Sequence, residues 1–143
     1  MRRARPGDEN RDGQTETRAI PGASEAKTGT GAGVRAVAVA RTWIGTPYHH
    51  AAAVKGVGCD CLGLVRGVAA ELGLAVPATV PAYARDAGEA DGVEGLLAAA
   101  RAHLVEVPAS WRRPGDVVVV RWRGGRLARH CGILAGATWV HAL

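Results

Sequence analysis

The stretch DCLGLVRGVAAELG, from Asp60 to Gly73, carries the clearest structural pattern in the sequence. Counted from Cys61, its larger apolar residues fall at i, i+3, i+4, i+7 and i+11, which is one face of a helix. Asp60 is a typical N-cap residue, and Gly73 is typical of the position that follows a helix. The sequence therefore predicts a helix over 61–72 that packs an apolar face against the rest of the chain.

Two other helical patterns lie on either side of this helix. Apolar residues over 34–44 share one side of a predicted helix that ends near Pro47. Glycine and proline break the pattern over 46–58, where we expect a loop. A third helical pattern covers 93–104.

After Pro108 the spacing of apolar residues changes from that of a helix to that of strands. Residues 116–123, 126–134 and 138–142 are predicted to be strands, joined by turns at 124–125 and 135–136. Helices therefore precede an antiparallel meander. This order predicts an α+β fold in which N-terminal helices pack on a C-terminal antiparallel sheet.

The chain has room for one domain and a tail. Residues 1–32 are polar and show no helix or strand period, so we expect a disordered N-terminal tail followed by a single domain over 33–143. No run of about 18 apolar residues occurs, and the basic start lacks the apolar stretch of a signal peptide. We expect cytoplasmic synthesis and no membrane insertion.

The charge is basic and unevenly distributed. The formal net charge is +5, and six arginines between 112 and 129 stand against one acidic residue, Asp116. Such a stretch could bind an anionic polymer or a partner protein. It could also be a solvated strand face, which is the more common meaning of a short run of charges. Aromatic residues make up only 4% of the chain, so we expect no nucleic-acid partner.

Cys61 is the candidate nucleophile among three cysteines. The first turn of a helix offers free amides and the positive end of the helix dipole, and both stabilise a thiolate. We expect capping to hold the Asp60 carboxylate toward an amide and away from the sulfur. Cys59 and Cys131 are predicted to be structural, and an odd number of cysteines excludes a complete disulfide framework.

His130 and His141 are the candidate base and its partner. If 135–136 is a two-residue turn, the two histidines are direct cross-strand neighbours. A four-residue turn sets His141 opposite Gly132, still on the face of His130, and only an odd loop or a bulge would separate them. With Cys61 packed over that face, the three residues supply a nucleophile, a base and an orienting group for acyl transfer.

Simpler readings of the same residues remain open. The two histidines could be ordinary sheet residues, and His103 fits a helix C-terminus without further role. A zinc site is disfavoured, because the Cys-x-Cys spacing is unusual and His130 and Cys131 point to opposite sheet faces. The four tryptophans are predicted to be core.

Five motifs in order resemble those of the NlpC/P60 cysteine peptidases, and together they span 34–143. They are TWIGTPY at 42–48, GCDCLGLV at 58–65, PGDV at 114–117, RHCGI at 129–133 and WVHA at 139–142. The resemblance is closest to the branch found in tailed bacteriophages and gene transfer agents.

The resemblance implies a compact papain-like α+β fold and a site without cofactor or metal. In it Cys61 attacks an amide carbonyl, His130 activates the thiol and protonates the leaving amine, and His141 orients His130. Tyr48 corresponds to a tyrosine that assists the oxyanion together with the Cys61 amide. Asp60 and His50 are the further expected substrate-binding residues, although a loop histidine such as His50 needs no role.

The implied substrate is the stem peptide of bacterial peptidoglycan, often cleaved between D-glutamate and a diamino acid. The implied setting is a phage or gene-transfer-agent tail that acts in the periplasm or on the cell wall, with tail-tip proteins as partners. Family members continue for about two strands beyond the position of His141, so we expect an uncovered sheet edge and a frayed His141 here. That departure leaves an alternative function: a catalytically inactive structural or docking component of a phage-like tail tip.

Overall fold

The structure, a computed structural model, describes residues 15–19, 31–77 and 94–143. Its helices are α1 (Gly31–Arg41), α2 (Cys61–Glu71) and α3 (Gly95–His103), with a 3-10 turn at Ala109–Trp111. Its strands are β1 (Thr15–Ala19), β2 (Ala53–Val54), β3 (Gly58–Cys59), β4 (Leu104–Glu106), β5 (Val117–Arg121), β6 (Ala128–Leu134) and β7 (Trp139–Val140).

Helix α2 forms where its pattern predicts it. The backbone of Asp60 is extended, and its Oδ1 accepts a hydrogen bond from the Gly63 amide at 2.8 Å. Gly73 has a φ of +73°, a left-handed conformation that glycine adopts without strain. The predicted cap and the predicted terminating glycine are therefore both confirmed.

The other two helices are offset from their predicted bounds. Helix α1 begins three residues earlier than predicted, at Gly31, and ends at Arg41 in a turn over 42–45. Helix α3 starts at Gly95, and the predicted start at 93 lies outside the described residues. Helix ends commonly fray or tighten by a turn, so such offsets leave the predicted order of elements unchanged.

The main sheet has five antiparallel strands in the order β4-β1-β5-β6-β7, and β2 and β3 form a small separate hairpin. Strands β5, β6 and β7 are the predicted meander, each shorter than its sequence pattern. The helices precede this meander, which confirms the α+β class. Within the described part of the chain, no helix combines the length and apolar character that a bilayer crossing requires.

Two strands of the main sheet are absent from the sequence prediction. Strand β1 lies in the segment predicted to be a disordered tail, yet its backbone pairs with both β4 and β5. The prediction differs from the structure at these residues because a short polar segment, TETRA, has no hydrophobic period and gains its strand conformation from backbone pairing. Of the remaining tail, only Gly31 and Ala32 lie within the described residues.

The helices pack on one face of the sheet and set the position of α2. One cluster joins Trp43 and Ala40 to Leu64 and Val68 of α2 and to Ile133 of β6. A second cluster includes Leu97, Val119 and Cys131 and is covered by Cys61 and Val65. The face of β6 that carries Cys131 and Ile133 therefore lies under α2, with the start of the helix beside Cys131.

Candidate active site

Cys61 is the first residue of α2, so it lies at the positive end of the helix dipole. Its side chain is partly buried. The preceding hairpin supports this end of the helix, because the Asp60 amide donates to the Ala52 carbonyl at 3.2 Å. The sequence prediction of a thiol at a helix N-terminus is confirmed. Such a thiol is placed to act as a nucleophile when it is ionised.

The Asp60 carboxylate has two structural partners. Oδ1 caps α2 through Gly63, and Oδ2 accepts from the Ala51 amide at 2.6 Å. Ala51 has a φ of +58°, a left-handed conformation that is strained for alanine and that this hydrogen bond helps to hold. As predicted, capping turns the carboxylate toward an amide, while its second oxygen fixes the loop that precedes the nucleophile.

His130 and His141 are in direct contact. His130 Nε2 lies 3.0 Å from His141 Nδ1. Strand β6 pairs Leu134 with Trp139 of β7, so the turn has four residues, which is the second of the two registers that the sequence allows. The predicted shared face is confirmed, and His141 contacts His130 although it lies one residue beyond β7.

The Cys61 thiol interacts with His130 and with the next residue of β6. A hydrogen bond from the Cys131 thiol is the largest cause that lowers the pKa of Cys61, to about 5. A hydrogen bond with His130 and the positive charge of its imidazolium lower it further, whereas burial acts in the opposite direction. Because His130 Nε2 faces His141, its Nδ1 is the ring nitrogen left for the sulfur. These contacts favour the thiolate form of Cys61.

Cys131 is a neighbour of the nucleophile that the sequence analysis missed. It is buried, as predicted, and burial together with its hydrogen bond to Cys61 raises the pKa of its thiol. The expectation that Cys61 packs over the strand face of His130 is wrong, because α2 covers the opposite face of β6, which carries Cys131 and Ile133. A β-bulge also adjoins His130, where Val120 pairs with His130 but Arg121 pairs with Ala128, and bulges increase the local twist of a strand.

The remaining predicted site residues lie in the loop before the nucleophile. Tyr48 forms an isolated bridge with Cys59, so its backbone lies beside the residue two positions before Cys61. His50 Nδ1 lies 3.7 Å from Asp60 Oδ2, and the His50 side chain is about a third exposed. His49, by contrast, is exposed. The loop thus brings Tyr48, His50 and Asp60 to one end of α2.

The prediction that all four tryptophans are core is wrong for Trp111 and Trp122, which are 68% and 50% exposed. Trp43 alone is buried, and its Nε1 donates to Glu71. Trp139 is partly buried and stacks on His141. Trp122 follows β5 in a hairpin turn, where a strand period no longer determines burial.

The described residues include no group of three or more His, Cys, Asp or Glu side chains arranged to hold a metal ion. Comparison with protein-family models, with curated proteins and with solved structures finds no match to this chain. The case for a function consequently rests on the site itself and on the motif resemblance.

Proposed function

We propose that this protein is a cysteine hydrolase that cleaves amide bonds in peptidoglycan stem peptides. The observation that carries the proposal is the line of contacts from Cys61 through His130 to His141, with 3.0 Å between the two imidazoles. A thiolate, an imidazole and a group that orients the imidazole are the parts that acyl transfer by cysteine requires.

The first chemical step is attack of the Cys61 thiolate on the amide carbonyl carbon. The sulfur–carbon bond forms as the carbonyl π electrons move onto oxygen, and the resulting oxyanion lies near the start of α2. The Cys61 amide at the positive end of the helix stabilises this charge, and Tyr48 is the proposed second donor.

His130 moves the protons of both half-reactions. Its imidazolium donates the Nδ1 proton to the leaving amine as the tetrahedral intermediate collapses, which leaves an acyl-thioester on Cys61. The neutral ring then takes a proton from water as that water attacks the thioester, which frees the acid product. Burial lowers the pKa of His141, and the charge of His130 lowers it further. A neutral His141 can therefore accept a hydrogen bond at Nδ1 from the Nε2–H group of His130, which holds the His130 ring in line.

The substrate class comes from the resemblance to NlpC/P60 peptidases of phage and gene-transfer-agent tails, as does the papain-like form of the α+β fold. The order of elements supports the resemblance, since a nucleophile-bearing helix packs against a sheet that carries both histidines. We further propose that the protein assembles with tail-tip proteins and acts on the cell wall. His50 is the proposed substrate-binding group beside the nucleophile. The expectation that Asp60 also binds substrate is not supported, because Asp60 is buried and both of its carboxylate oxygens accept structural hydrogen bonds.

The test is digestion of purified peptidoglycan with the wild-type protein and with Cys61→Ala, and new amines are identified by mass spectrometry. We expect release by the wild type and loss of at least about a thousandfold in the variant, because the nucleophile is removed. His141→Ala should lose less, since it removes only the orienting group.

His103→Ala is the matched control for the histidine variant, because His103 is an exposed histidine at the end of α3. It should digest as the wild type does. Equal release by the wild type and Cys61→Ala, or release by neither, would remove the hydrolase proposal and leave the docking alternative.

A further inference from the structure

An aromatic cluster surrounds the imidazole of His130. It consists of Trp122, Trp139, His130 and His141. The Trp122 ring stacks on His130 with centroids 5.6 Å apart and planes 20° apart, while Trp139 meets His130 edge-on at 5.3 Å and 79°. The His130 ring therefore has an aromatic neighbour on its face and others at its edges.

Trp139 also determines the orientation of His141. The two rings are stacked, with centroids 4.1 Å apart and planes 16° apart, and His141 in turn meets His130 edge-on at 83°. The right angle between the imidazoles lets Nε2 of one face Nδ1 of the other. Parallel stacking on Trp139 holds His141 in the plane that this contact needs.

The backbone alone holds His141 weakly. Strand β7 consists of Trp139 and Val140 at the edge of the sheet, and His141 follows its last residue. A two-residue strand at the edge of a sheet has few backbone hydrogen bonds to hold the residue that follows it. The ring contacts therefore supply an order that strand pairing at this position does not.

Gly132 leaves the space that the aromatic cluster occupies. A Cβ atom at this position would lie 2.6 Å from the Val140 carbonyl oxygen, 2.7 Å from Trp139 Cε3 and 2.9 Å from the His141 Cβ, closer than real side chains pack. The residue opposite His141 on β6 thus has no side chain, and the two stacked rings fit against the strand.

We propose that Trp122 and Trp139 are positioning residues that hold the His130–His141 pair in the orientation that serves Cys61. Trp139 orients His141 by stacking, and Trp122 covers the face of His130 while its own outer side remains in solvent. Trp122 is 50% exposed, whereas the His130 ring on which it stacks belongs to a residue that is only 4% exposed, so the indole covers the imidazole on its solvent side. The catalytic part of this inference rests on the proposed function.

The first test measures kcat and KM on soluble stem peptides for Trp122→Ala and Trp139→Ala. We expect kcat to fall about three- to tenfold in each, which corresponds to the loss of one aromatic pair, with little change in KM. Trp122→Phe and Trp139→Phe keep a stacking ring and should recover most of the loss. Trp111→Ala is the control, because Trp111 is also exposed but has no ring contact with His130 or His141.

A second readout does not depend on peptidase activity. Cys61 faces His130 and the Cys131 thiol, and the neighbouring Asp60 carboxylate is turned into its capping hydrogen bonds. If His130 loses its orientation, the pKa of Cys61 rises and its thiolate fraction falls. The alanine variants should therefore be alkylated by iodoacetamide about three- to tenfold more slowly near pH 4, below the wild-type pKa of about 5, where the rate follows the thiolate fraction. The phenylalanine variants should again recover most of the rate.

Slower alkylation in the alanine variants with recovery in the phenylalanine variants supports the inference even if the wild type digests no peptidoglycan, in which case the proposed function alone fails. Wild-type alkylation rates in folded alanine variants would overturn it. A rise in KM at unchanged kcat would also overturn the inference, because it would make Trp122 a substrate contact. Loss of folding in both phenylalanine variants would overturn it as well, because the rings would then be structural.

Discussion

Single residues decide which of two contacting thiols carries the proton. Cys61 lies at the positive end of α2 and beside His130, whereas Cys131 lies within the core, where burial opposes a charge. These surroundings lower the pKa of Cys61 and raise that of Cys131, so they favour ionisation of Cys61 and place Cys131 as the donor of the hydrogen bond between them. Cys131 is in this way part of the activation of the nucleophile without itself reacting.

Replacement of Cys131 by alanine should raise the pKa of Cys61 from about 5 by about one pH unit or more, because the thiolate loses its strongest hydrogen bond. The ultraviolet absorbance of the thiolate, titrated against pH, measures this change. Cys131→Ser keeps a donor and should shift the titration less.

Cys59→Ala is the matched control, since Cys59 is equally buried but its thiol has a pKa raised by burial and by the Asp60 charge. It should leave the titration of Cys61 in place. The same midpoint in wild type and Cys131→Ala would show that the contact between the two thiols does not stabilise the thiolate.

Local sequence patterns predict much of the site. The N-cap pattern located Cys61, and the even turn between β6 and β7 located both histidines on one face. Cys131 was not accessible in this way, because its contact with Cys61 depends on how far along β6 the helix docks. That distance is set by packing between elements and not by the period of either one.

At the scale of elements, two glycines of α2 fix how the helix docks. A side chain at Gly63 would collide with the Ala52 carbonyl, and one at Gly67 would collide with the indole of Trp43. At Gly63 the start of α2 packs closely on the β2–β3 hairpin. At Gly67 the middle of α2 packs on Trp43, in the turn that follows α1. Together they position the N-terminus of α2 over the face of β6 that carries Cys131.

Substitution of Gly63 by alanine should lower the free energy of unfolding by about 1–3 kcal/mol, because the backbone carbonyl of Ala52 cannot yield without moving the hairpin. Denaturant unfolding measures this loss. Gly95→Ala is the matched control, since Gly95 is also a helical glycine and its Cβ would meet nothing within 4 Å.

The control should be neutral or stabilising, as expected when alanine replaces glycine in a helix. If Gly63→Ala proved as stable as Gly95→Ala, the close packing of α2 on the hairpin would not exist in solution. In that case Gly63→Ala should also digest peptidoglycan at the wild-type rate.

For the whole molecule, the order of elements could be predicted and the full sheet could not. Periodicity identified three helices followed by a meander. It could not identify β1, whose polar residues form a strand only because β4 and β5 offer backbone partners on both sides. The same long-range packing brings a helix start and two strands from distant parts of the sequence to one site, so the chemistry depends on the complete fold.

The most direct test of the central claim is the pH dependence of Cys61 alkylation by iodoacetamide in the folded full chain, with labelled sites assigned by mass spectrometry. A lowered pKa means that the thiolate is lost only as the pH falls through that value. The rate should therefore rise through an inflection at about pH 5 and be constant at neutral pH. In His130→Ala the inflection should move upward. An inflection near the ordinary thiol value of about 8.5 in both proteins would contradict the account.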